Sequence, residues 1–142
     1  MAYNVAKDIS DMLVTGGIGT FAAASGWGIY ISKEPLTPNT VVTVYHTGGA
    51  EPNAKWRLDF PTVQIRVRGD VNGYVAAHDK ARAIFDLLLG KSPTTVNTNL
   101  YSGFWCMNDI IFLKYDDNNR PLFVINFRLA VEPSSGTNRS AL

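Results

Sequence analysis

The stretch from Phe123 to Val131 constrains this chain's fold more than any other. Phe123, Ile125, Phe127, Leu129 and Val131 alternate there with Val124, Asn126, Arg128 and Ala130. Successive side chains of a strand point to opposite faces, so this period of two makes a long strand with one strongly apolar face. A second layer must cover that face. The strand is the second arm of an expected hairpin, because Ile110 to Tyr115 and Leu122 to Glu132 flank the dense turn cluster Asp116-Asp117-Asn118-Asn119-Arg120-Pro121. A shorter copy of the pattern begins at Val63, where Val63, Ile65 and Val67 alternate with Gln64, Arg66 and Arg68. Pro61 suits the first position of that strand, where a missing N–H is tolerated.

Two helical stripes supply the covering layer. Val5, Ile9, Met12 and Leu13 recur at helical spacing before a Gly16-Gly17 stop, and Ala77, Ala81, Ile84, Phe85 and Leu88 do the same before Gly90. Further strands are expected at Trp27 to Ile31 and at the β-branched run Thr40 to His46. Gly17 to Gly28 and Lys91 to Asn99 read as loops, Lys33 to Asn39 as an extended surface connection, and Glu51 to Phe60 as a hairpin arm or long loop. The expected order is helix, three or four strands, helix, two strands. Its fold class is α+β, a mainly antiparallel sheet with two helices packed on one face and a long C-terminal hairpin. Ile9, Leu13, Val63, Ile65, Val67, Ile84, Phe85, Leu88, Phe112, Phe127 and Leu129 are the expected core. Residues 1–132 are expected to form one domain, and the small polar tail 133–142 to be mobile unless a partner orders it.

Composition narrows the function. A chain of 142 residues is about one domain, and its formal net charge of +1 lacks the basic excess of a dedicated nucleic-acid binder. Cys106, the single cysteine, has no partner for an intramolecular disulfide; in the aromatic run Phe104-Trp105-Cys106-Met107 it is expected to fill core. The N-terminal stretch Met1 to Asp8 does not read as a secretion signal and no apolar run approaches a membrane span, so synthesis in a cytoplasm is expected. His46 and His78 form no metal-ligand cluster, Asp116-Asp117 reads as a turn cap, and no nucleophile elbow or complete phosphate loop occurs. No catalytic residue, cofactor or metal is therefore expected. Trp27, Tyr30, Tyr45, Trp56, Tyr101, Phe104 and Trp105 are expected in the core and at subunit contacts. Arg66 and Arg68 share one polar strand face, and with Arg128 are either solvated charges or a subunit contact or channel wall. Gly48-Gly49 is suited to a turn with positive φ.

Tyr45-His46-Thr47-Gly48-Gly49-Ala50-Glu51-Pro52, followed by Phe60-Pro61-Thr62-Val63-Gln64-Ile65-Arg66-Val67-Arg68-Gly69 and then a helix, resembles a family of phage tail-terminator proteins, also described as minor capsid proteins. The resemblance runs from the first helix to the second and more loosely through the last hairpin. It implies a small α+β subunit, with no cofactor and no membrane, that forms a hexameric ring on the head-proximal end of the tail tube. There it would stop tube growth, meet the major tail tube protein and a head-completion or connector protein, and surround passing DNA without reading its sequence. Such a protein resides in the tail or neck of the virion after assembly in the host cytoplasm. Arg66, Arg68, Arg128, Gly48 and Gly49 are the candidate interface or channel residues. Another ring-forming neck or head–tail connector, and a small ferredoxin-like enzyme, are the alternative readings.

Overall fold

A computed structural model describes residues 3–134 and 137–142. Met1 and Ala2 of the N-terminal stretch, and Ser135 and Gly136 of the polar tail, lie outside the described residues. In chain order the elements are α1 (Val5–Thr15), β1 (Thr20–Phe21), β2 (Gly28–Ile31), β3 (Val41–Gly49), β4 (Pro61–Arg68), α2 (Tyr74–Leu88), β5 (Thr94–Val96), β6 (Asn99–Cys106), β7 (Ile111–Tyr115) and β8 (Pro121–Glu132). The fold is α+β, as the periodicities predict. One mixed sheet runs β1-β2-β3-β4-β8-β6-β5, with β7 also bonded to β8. β1, β2 and β3 are mutually parallel, and every other pairing is antiparallel.

β8 organises the sheet because its length lets it serve two neighbours along one side. Its first part pairs with β7 and its later part with β6, while β4 runs along its other side. The register places Val63 opposite Phe127, Ile65 opposite Ile125 and Val67 opposite Phe123. The two apolar periods thus merge into one face, and α1 and α2 lie across it. Ile9 and Leu13 of α1, and Ala81, Ile84 and Leu88 of α2, join those strand residues in one core with no measurable exposure in the helical members. Asn4 starts α1, its side chain accepting from the N–H of Lys7 at 3.0 Å. Gly16 ends it, its N–H donating to the carbonyl of Met12 at 2.9 Å.

Four strands follow α2 where the sequence suggests two. β5 lies in the expected polar loop, and β6 contains the aromatic run that carries Cys106. The register of β6 shifts between Tyr101 and Gly103, so two residues share one place in the ladder and the period of two is broken. β1 likewise forms inside the expected Gly17–Gly28 loop. Phe112, expected in the core, is 38% exposed because β7 has β8 on one side and no strand on the other. Phe85 is half-buried against the core, and Cys106 is also half-buried, its Sγ donating to the carbonyl of Asn108 at 2.7 Å.

β5 and β6 also surround a buried carboxylate. Asp8, on the first turn of α1, accepts from the Tyr101 hydroxyl at 2.5 Å, from Asn99 Nδ2 at 3.0 Å and from Asn97 Nδ2 at 2.7 Å. Burial and the adjoining Asp8 push the Tyr101 hydroxyl far above the ordinary tyrosine range. These bonds join the helix to the far end of the sheet. Within the tail, Arg139 Nη1 and Nη2 reach the two carboxylate oxygens of Asp59 at 2.6 and 3.2 Å, and the N–H of Ser140 donates to the Lys55 carbonyl at 2.8 Å. Among the described residues no helix is long and apolar enough to cross a membrane.

Candidate functional site

The sheet face turned away from the helices carries the expected arginines, and the structure divides the expected site residues into three groups. Arg68, at the C-terminal end of β4, is 2% exposed. Its guanidinium donates to the carbonyls of Pro38 at 2.6 Å, Asn39 at 3.0 Å and Leu36 at 3.4 Å, and lies 3.4 Å from Glu34 Oε1. Arg120, just before β8, is also buried and donates to the Leu36 carbonyl at 2.6 Å, to Asn39 Oδ1 at 3.2 Å and to Asp116 Oδ2 at 2.8 Å. Two guanidiniums therefore hold the Lys33–Asn39 connection over this end of the sheet like rivets through a strap. On the same strand face, which alternation assigns to solvent, Val41, Thr43, Leu122 and Val124 are buried.

The electrostatics of this corner follow from that arrangement. Burial lowers the Arg68 pKa, and the neighbouring charge of Arg120 lowers it further, against the opposing pull of Glu34 and Asp116. Burial alone would raise the Asp116 carboxyl. The N–H groups of Arg120 and Asn118 and the Arg120 guanidinium outweigh it and hold Asp116 below the usual carboxylate range.

Arg66 and Arg128 form the second group. On the helix-free face Arg128 is exposed and Arg66 is half-buried with its Nε covered, the two separated along the strands by the paired Gln64 and Asn126, whose amides bond at 3.3 Å. Each lies near an aromatic ring: Arg66 is 5.9 Å from the centroid of Tyr45, and Arg128 is 4.7 Å from that of Trp105. Arg66 Nε also faces Glu34 Oε2 at 4.0 Å, and neither atom has another hydrogen-bond partner among the described residues. A guanidinium laid on a ring keeps its in-plane N–H groups free, so this face can take carboxylates or phosphates. Of the aromatics expected in the core and at contacts, Tyr101 and Phe104 are buried whereas Trp56 and Trp105 are exposed.

Gly48 and Gly49 make the third group, at the far end of β3. Both have positive φ, +90° and +136°, as the sequence suggests, but β3 continues through them across a register shift instead of turning. Gly49 pairs with Pro61, and a Cβ there would sit 2.3 Å from the Phe60 carbonyl oxygen, so close approach requires glycine. With Tyr3, His46, Asp59 and Phe60 the two glycines line an open hollow of about 340 Å³ that adjoins the start of α1 and not the helix-free face. Arg68 and Gly49 thus lie at opposite ends of the β3–β4 ladder. Among the described residues no three His, Cys, Asp or Glu side chains gather as a metal site would need. Arg120 and Asp8 are the important polar residues that sequence reasoning missed. Their signals were weak, one cation in a turn cluster and one carboxylate off a helical stripe.

Residues 2–133 match the family model described as bacteriophage tail terminator protein. Among solved structures, a chain in the virion of a native gene transfer agent particle is similar in fold, with a TM-score of 0.57 and 21% identity over 92% of this chain and 99% of that one. A comparison with curated proteins found no match.

Proposed function

This chain belongs to the bacteriophage tail terminator family, a family of structural, non-enzymatic proteins, and from that premise we propose that it forms a hexameric ring on the head-proximal end of a tail tube. The ring stops tube polymerisation and offers its other face to a head-completion or connector protein. The observation that carries this reading is the family match across nearly the whole chain. Geometry agrees: a head-to-tail contact repeated until its rotation closes gives a ring with two unlike faces, one able to match the tube end and one unable to accept more tube subunits. The loops 17–28 and 51–60 are suited to the end contacts, since the loops of a scaffold adapt on binding more readily than its strands. Deleting the gene during infection should give filled heads without functional tails, together with overlong tubes. Tails of normal length, normally attached, would refute the terminator role and leave a different neck protein.

The site residues have a defined part in this proposal. Arg66 and Arg128 present cations on the uncovered face, where they meet carboxylates of a neighbouring subunit or phosphates of passing DNA, while Gly48 and Gly49 shape a separate hollow at the far end of β3. Arg68 takes part only indirectly, by holding the strap that borders the face. The double variant Arg66→Gln with Arg128→Glu, which sets no second carboxylate against Glu34, should fold normally and lower titre about tenfold. Ring loss measured by native mass spectrometry would identify the subunit contact, and intact rings with impaired DNA delivery would identify the phosphate contact. Full titre with intact rings would leave both residues as solvated surface.

A further inference from the structure

Resting on the ring reading, we infer that neighbouring copies of this chain join by strand addition, with the free edge of β7 in one copy laid against the free edge of β1 in the next. β7 pairs with β8 and with no other strand, and all of its residues are exposed. Ile111, Phe112, Leu113 and Tyr115 make it strongly apolar for an edge strand, and Tyr74 and Val75 at the start of α2 extend the patch. The rings of Tyr74, Phe112 and Tyr115 form one cluster, with centroids 5.2 and 5.4 Å apart, while Ile111, paired with Val124, lies on the other face of the strand.

The backbone specifies the kind of partner. The N–H of Asp116 donates to the Arg120 carbonyl, so in an alternating antiparallel ladder the N–H and carbonyl of Tyr115 point away from β8. A second strand satisfies those groups. The acceptor lies at the opposite end of the strand order, where β1 is bonded to β2 alone and exposes Thr20 and Phe21. Charge favours pairing these two edges. β7 lies between exposed Asp109 and Asp117, whereas Lys80 near β1 donates to the Ile18 carbonyl at 2.9 Å, 5.4 Å from the centroid of Trp27; Lys7, 5.2 Å over the Phe21 ring, is already paired with Asp11 at 2.5 Å. An apolar strand with acidic ends thus faces an aromatic edge beside one lysine, and because the surfaces are unlike and on opposite flanks, the contact repeats head to tail. The register shift around Leu113 and the charge of Lys114 are devices that keep an edge from pairing indiscriminately, which suits a subunit that must remain soluble before assembly.

Cysteine cross-linking tests the contact. In a Cys106→Ser background, Phe21→Cys with Leu113→Cys should give, on oxidation of assembled tails, a covalent ladder of subunit multiples up to the full ring, and either cysteine alone should give none. A ring that native mass spectrometry finds intact but that yields no ladder overturns the strand pairing and leaves the ring reading standing; no ring in wild-type tails overturns both. Leu113→Lys alters a position that is 46% exposed and lies in the register shift of β7. It should leave the melting temperature unchanged and abolish the ring, and rings formed by this folded variant would equally overturn the pairing.

Discussion

Phe127→Ala is expected to lower the unfolding free energy by about 3–5 kcal/mol, a large share of the roughly 5–15 kcal/mol that stabilises a domain. Phe127 has no measurable exposure and sits where the sheet is most interconnected, opposite Val63 of β4 on one side and Cys106 of β6 on the other. Both neighbouring strands are fixed by their ladders at that residue, so they cannot close in on the space a benzyl group leaves. The cost therefore includes a cavity as well as lost transfer energy. Urea unfolding followed by tryptophan fluorescence should give a lower midpoint at unchanged slope. A midpoint equal to that of the parent would mean that Phe127 does not fill the centre of the core.

Arg68→Ala is expected to be the most damaging polar substitution, costing about 2–4 kcal/mol, because it leaves several strap carbonyls and Glu34 without a donor in a partly dry corner. The geometry also predicts a failed rescue. Arg68 reaches the carbonyls of Leu36, Pro38 and Asn39 from different nitrogens of one planar fork, and the single ammonium of Arg68→Lys cannot span them. Arg66→Ala should cost well under 1 kcal/mol, since its ion pair with Glu34 is long and partly exposed. Hydrogen exchange should locate the Arg68→Ala effect in residues 33–43, where the strap lifts from β3 and β4. Unchanged protection there, with an unchanged urea midpoint, would remove Arg68 as the anchor.

The contrast between Arg66 and Arg68 marks how far alternation carries. Both lie on the polar side of the same strand, and the sequence pattern treats them alike. The strap bonds Arg68 through three carbonyls and reaches Arg66 only through Glu34 at 4.0 Å, because Arg120, remote in the chain from β4, ties it over the Arg68 end. Alternation assigns a side chain to a face. It is silent on what lies above that face, and this left the buried Leu122 and Val124 unforeseen and placed Phe112 in the core although it lies at an open edge.

What the sequence determined by itself is α1, β2, β3, β4, α2 and the β7–β8 hairpin, together with the α+β class, because apolar spacing, β-branched runs and turn clusters leave each of these segments one kind of element to form. The order of residues from Thr47 to Gly69 also carried the family resemblance that the comparison supports. Only the tertiary structure decided the rest. β6 has a shifted register that erases its period, β1 and β5 are too short to have one, and the roles of Asp8, Arg68 and Arg120 come from partners distant in the chain. Local pattern records which face an amino acid prefers; burial, strap closure and free edges depend on which remote segments arrive over that face, and that is settled when the sheet closes around β8.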